Sequence, residues 1–220
     1  MENFFDIKFV VMTGKIGVGK NYISYLIAEE LQKIVKYGKT KYSDIDINFC
    51  AFSDILKTEV MEKFGFSHID TFVNKNTHVR RTLINHGTDM RNKHPNYFID
   101  KLQDHIINNF KDKHKYHHTG PVLVVYFITD MRFLNEYKWS IKKKSIIIRV
   151  ISKTRNNRAI LKYEEPNRSK IINDKSETEL DFIEKYHDDK LSAYNIILLQ
   201  NEEHEDINDD INKIIAKILN

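Results

Sequence analysis

Short apolar runs alternate along this chain with apolar stripes of helical period. Phe9–Thr13 is a strand-sized run that stops at Gly14. From Lys20 the period turns helical, with Ile23, Ile27, Leu31 and Ile34 on one face. Ile47–Phe52 predicts a second strand, with Ser53 or Asp54 capping a helix that carries Leu56, Val60 and Phe64. Gly65–Asn76 reads as a loop, and Thr77–Arg91 as a helix that Gly87 weakens and Pro95 ends. Ile99, Leu102, Ile106 and Phe110 mark the next helix, and Val122–Thr129 is the clearest strand. A short helix around Glu136–Lys142, a strand at Ile146–Ile151 and a strand at Ile196–Leu199 follow. Ile207, Ile211, Ile214 and Ile218 stripe a terminal helix. Strand and helix alternate with no internal repeat, which predicts an α/β three-layer sandwich: a parallel sheet of about five strands with helices on both faces. Residues 1–220 read as one domain, with a charged, apolar-poor lid over 155–175.

Composition narrows the class. The apolar fraction is 41% and the charged fraction 30%, nearly balanced in sign, as in a globular rather than a disordered chain. A net charge of +4 suits an anionic ligand but is too small to predict a nucleic-acid partner. The single cysteine, Cys50, forms no intramolecular disulfide, and the longest apolar runs are far shorter than a membrane span. Met1–Lys8 lacks the basic-then-apolar order of a signal peptide, so the expectation is a soluble, cytoplasmic protein without a membrane partner. A homodimer stays open. His114, His117 and His118 lie in a polar stretch without acids or cysteine at ligand spacing, so no metal site is expected there.

Between the first strand and the first helix stands Gly14-Lys15-Ile16-Gly17-Val18-Gly19-Lys20-Asn21, a match to G-x-x-x-x-G-K. Glycines let the loop turn its amides inward onto phosphate oxygens, and Lys20 reaches the β and γ phosphates. The helix beginning at Lys20 adds the positive end of its dipole. Three of the seven glycines fall within these six positions, which argues against chance. The Ser or Thr that usually follows the lysine and binds Mg²⁺ is Asn21, whose amide oxygen can hold the ion or one of its waters. Thr129-Asp130-Met131-Arg132 follows the clearest strand and offers a carboxylate where Mg²⁺ needs one. Arg80, Arg81 and Arg91 lie in one helix and form either a phosphate clamp or a solvated basic face.

Taken in order, Phe52-Ser-Asp-Ile-Leu-Lys57, Arg80-Arg81 with Gly87-Thr-Asp, Thr129-Asp130-x-Arg132 with Glu136, and Ser176-Glu177-x-x-Leu180-Asp181 resemble a family. It is the deoxynucleoside monophosphate kinases of phages and other DNA viruses, within the P-loop kinase superfamily. The chain is also similar to the animal-type phosphomevalonate kinases. The resemblance implies a nucleoside monophosphate kinase-like fold and transfer of the γ-phosphoryl group of ATP, with Mg²⁺, to a dNMP. It implies ATP binding by Gly14, Lys15, Gly17, Val18, Gly19, Lys20 and Asn21, with Arg155 and Arg158 reaching in from the lid. Lys57 and Arg132 would meet the transferred group or the acceptor, Arg80, Arg81 and Arg91 would hold the acceptor, and Asp130 and Asn21 would serve the metal. The chain departs from the pattern in two places. Val-Gly-Lys-Asn replaces the usual Ser-Gly-Lys-Asp, and Ile84 stands where phage enzymes have Gln, closer to phosphomevalonate kinase. That kinase, and a nucleotide-binding protein without turnover, are the alternatives.

Overall fold

The computed structural model describes residues 4–38, 40–73, 76–115, 120–185, 195–202 and 206–220. His117 and His118 lie outside them. The chain divides into two compact units, one made of Met1–Cys50 and His118–Asn220, the other of Ala51–His117 inserted between them.

The first unit is built on five parallel strands: β1 (Phe5–Thr13), β2 (Asp44–Cys50), β3 (Val122–Met131), β4 (Ile146–Ile151) and β5 (Ile196–Gln200). Their order across the sheet is β2-β3-β1-β4-β5. The chain leaves central β1 towards one edge and later crosses to the other. That reversal opens a crevice at the C-terminal ends of β1 and β3, where open α/β sheets bind their ligands. Alternate residues serve opposite faces. Val10 and Met12 of β1 and Leu123, Val125 and Phe127 of β3 join Ile23, Ile27 and Leu31 of α1 (Lys20–Lys36) and Ile211, Ile214 and Ile218 of α10 (Asn208–Leu219). On the other face Phe9 stacks on Tyr126 and meets Trp139 of α5 (Leu134–Lys142) edge-on. The α/β three-layer sandwich with a parallel sheet is thus the fold.

The inserted unit holds α2 (Phe52–Phe64), a π-helical turn at Ile69–Val73, α3 (Thr77–Lys93) and α4 (Tyr97–Lys113). Val60, Val79 and Leu83 pack together there with Leu56 and Phe66 beside them, and Phe98, Ile99, Leu102 and Ile106 of α4 are buried as well. Glu59 accepts hydrogen bonds from Tyr97 Oη at 2.5 Å and pairs with His86 Nε2 at 3.2 Å. The carboxylate bond and burial push the Tyr97 phenol up to about 12.

Local differences from the sequence expectations have physical causes. β1 begins at Phe5, because Phe5–Lys8 pair with β3 although Asp6 and Lys8 break the apolar run. The helix after β2 starts at Phe52 with extended Ala51 as its cap residue, so Ser53 and Asp54 lie inside it and do not cap it. Part of the expected loop at 65–76 forms the π-helical turn. Gly87 lies inside α3 and is buried, and a Cβ there would lie 3.1 Å from Leu56 Cδ2, so the missing side chain lets α2 approach. The segment after β4 forms three short helices, α6 (Lys153–Ile160), α7 (Asn167–Ile172) and α8 (Lys175–Thr178), followed by α9 (Phe182–Lys185). No described helix is long and apolar enough to cross a membrane.

Candidate functional site

The loop from Gly14 to Gly19 joins β1 to α1 at the crevice. Gly17 and Gly19 have φ of 78° and 96°, a region that residues with a Cβ avoid. Neighbours close the space as well: a Cβ on Gly17 would lie 2.3 Å from Ala159 Cβ, and one on Gly19 2.4 Å from Asn201 Nδ2. Two side-chain amides grip the loop from outside. Asn201 Nδ2 donates to Val18 O at 2.7 Å, and Asn156 Nδ2 donates to Ile16 O at 2.7 Å. Val18 itself is buried in the core below.

Lys20, the first residue of α1, folds back over the loop and donates to Gly14 O at 2.8 Å and Lys15 O at 2.9 Å. Burial and the nearby positive charge of Arg132 lower its pKa to about 7, while Glu177 and Asp130 act to raise it. Asp130 therefore stands close enough to act on Lys20, as its place at the end of β3 suggests. Just beyond, buried Glu136 accepts from Arg132 N at 2.7 Å and Phe133 N at 3.1 Å. This bond pair fixes the backbone that carries Arg132 and supplies the first turn of α5 with an acceptor.

Three acids from the chain after α7 meet the cations of this crevice. Glu177 accepts from Ile16 N at 2.7 Å and pairs with Arg132 Nη1. Asp181 holds Lys15 Nζ at 3.1 Å and Arg149 Nη2 at 2.9 Å. Glu184 accepts from Arg149 Nε at 2.8 Å. Arg149 is 3% exposed, and its Nη1 also reaches Thr13 Oγ1 at 3.3 Å. A buried guanidinium needs such partners. Sequence reasoning missed Arg149, Asn156 and the loop-gripping role of Asn201. The signal for Arg149 was there: a lone charge inside the apolar strand Ile-Ile-Ile-Arg-Val-Ile. Asn156 carried none, and Asn201 was marked only as part of the stretch that the family resemblance covers.

The other residues singled out in the sequence divide between the units. Arg155, in α6, donates from Nε to Asn201 O at 3.0 Å, and Arg158 is exposed on the same helix. Lys57, Arg80, Arg81 and Arg91 belong to the inserted unit. Lys57 pairs with Asp54 at 2.7 Å and lies over the Phe72 ring, Arg91 stacks on Phe98 at 4.8 Å, and Arg80 and Arg81 are exposed. Arg80 and Arg91 do share a face of α3, three turns apart. Among the described residues no group of three or more His, Cys, Asp or Glu could hold a metal ion. Asn21, exposed in the first turn of α1, and Asp130 instead offer two hard oxygen donors beside the loop. Oxygen donors of this kind are what Mg²⁺ takes, one or two from the protein with phosphate and water at its remaining positions.

Sheet order, loop and lysine together define a P-loop α/β fold of the nucleoside monophosphate kinase type. No protein-family model matches the chain, and no curated protein matches it. Among solved structures, the crystal structure of TT1252 from Thermus thermophilus is similar in fold, with 13% identity over 96% of each chain and a TM-score of 0.50. Shikimate kinase from Aquifex aeolicus matches with 11% identity, 96% of this chain and 95% of that one, and a TM-score of 0.36. Shikimate kinase from Acinetobacter baumannii, in complex with shikimate, matches with 14% identity, 97% and 93% coverage and a TM-score of 0.38. Scores as low as those two carry no argument about acceptor chemistry.

Proposed function

We propose that this protein transfers the γ-phosphoryl group of ATP to the phosphate of a deoxynucleoside monophosphate. The observation that carries the reading is the loop itself: positive-φ glycines at the end of central β1, with Lys20 buried across them and facing Asp130 and Arg132. In this reading Gly14, Lys15, Gly17, Val18, Gly19 and Lys20 bind the ATP phosphates, and Arg158 and Arg155 approach them from α6. Asn21 and Asp130 would hold Mg²⁺, which when bound would neutralise charge on the phosphates. Lys20 and Arg132 stabilise negative charge on the transferring group. No strong base is called for, because the acceptor phosphate already carries an ionised nucleophilic oxygen. Lys57, Arg80, Arg81 and Arg91 hold the acceptor phosphate.

A coupled ADP-release assay with Mg-ATP and a panel of monophosphates tests the reading. Turnover with dNMPs and none with mevalonate 5-phosphate is the expected result. Turnover with mevalonate 5-phosphate alone would replace the acceptor, and ATP binding without any turnover would replace the activity.

A further inference from the structure

The Ser176-Glu177-x-x-Leu180-Asp181 segment has no part in the reading above, yet its first acid joins the two halves of the crevice. Leu180 and Ile183, both buried, anchor the segment in the first unit. From there Glu177 Oε2 takes the Ile16 amide at 2.7 Å, and Oε1 pairs with Arg132 Nη1. The same Arg132 nitrogen donates to Ser176 O at 3.2 Å. The Glu177 side chain is only 10% exposed, so water does little to loosen either contact. Arg132 is otherwise a long side chain with many rotamers, and it faces a second cation, Lys20, that repels it. A group that must meet developing charge has to be held to within about 0.5 Å. Glu177 supplies both the tether and the offsetting negative charge, while Asp181 holds neighbouring Lys15 to Arg149.

We propose that Glu177 is a positioning residue: one carboxylate ties the phosphate loop at Ile16 to the Arg132 guanidinium and sets where Arg132 meets the transferring phosphoryl group. The proposal rests on the phosphotransferase reading for its chemistry, but the tether stands on its own contacts. Glu177→Gln keeps the length of the side chain and an acceptor for Ile16, and removes the charge that holds Arg132. Its expected effect is a fall in kcat of about tenfold or more, with KM for ATP changed by less than about threefold. In an Arg132→Gln background the same substitution is expected to cost less than about twofold more, because the two residues act as a unit. Additive losses would show a structural role without positioning and overturn the proposal. Full kcat with tighter ATP binding would also overturn it, making Glu177 an anion that phosphate displaces. A readout free of turnover keeps the two readings apart. The Ile16 amide proton of the ligand-free protein is expected at low field in NMR spectra, as for an amide donating to a carboxylate, and to move upfield in Glu177→Ala. An unmoved Ile16 resonance removes the tether whatever the assay shows. A protein that phosphorylates no acceptor but shows the shift keeps the tether and loses the phosphotransferase reading.

Discussion

Lys20 is both the most buried cation of the phosphate loop and the one whose charge state is most finely placed. Its pKa of about 7 in the fold, against 10.5 for a free lysine, means that the unfolded chain binds more protons between those values. Its burial therefore opposes folding fully below pH 7, and the penalty fades as pH rises towards 10.5. Phosphate reverses the balance by favouring the charged form. Binding of inorganic sulfate, a dianion at both pH values, is thus expected to take up protons at pH 8 and few at pH 6. Calorimetry in two buffers of different ionisation enthalpy measures the uptake, and none at pH 8 would show that Lys20 is already charged. Lys20→Ala is expected to lower turnover by roughly two to three decades while circular dichroism shows the fold intact. Near-normal activity in that variant would remove the loop from the mechanism. Asp130→Asn is expected to raise the Mg²⁺ concentration needed for half-maximal rate. An unchanged requirement would reduce Asp130 to a partner of Lys20.

At the scale of elements, the segment Arg155–Lys175 holds the least buried helices of the first unit. Neither α6 nor α7 contains a buried residue, and α6 touches the loop through Ala159 beside Gly17 and through Asn156 on Ile16 O. With so little apolar area removed from water, its stability has to come from polar contacts. Hydrogen exchange is expected to show weak protection there without ligands and strong protection with ATP and acceptor, as a closing lid requires. Equal protection in both states would leave these helices a fixed wall. Much of this level was legible in the sequence. The apolar stripes of α1 and α10 and the runs of β3 and β4 announced their elements, because each buries one face or both. The cap of α2 was not legible: Ser53 and Asp54 are good caps by type, but the backbone turns helical two residues too early for Ser53 and three too early for Asp54.

For the whole molecule, the division into two units bears on how it unfolds. The first unit has a broad core between sheet and helices, and the inserted unit, the shorter of the two, buries Val60, Val79 and Leu83 together with Phe98, Leu102 and Ile106 of α4. Trp139, the only tryptophan, packs on Phe9, so its fluorescence follows the packing of the first unit. In urea the helical circular dichroism signal is expected to begin falling before Trp139 fluorescence changes, since the shorter unit buries a smaller share of its surface. Coincident transitions would make the chain one cooperative domain, as the sequence reading expected.

The sequence by itself determined what repeats or clusters over short distances. Glycine spacing between a strand and a helix marked the phosphate loop, and apolar period marked the helices and strands that make an α/β layered fold. Tertiary structure alone decided which strands become neighbours, placing β1 between β3 and β4 so that the loop, Asp130 and Arg132 share one crevice. It also decided that Glu177, 161 residues away from Ile16, would end on that amide, and that Arg149 would meet Asp181 and Glu184. The reason is physical. Periodicity reports which face of an element leaves water, since burial repeats with the element's own geometry. Which charge meets which depends on how the elements pack, and no local spacing records that.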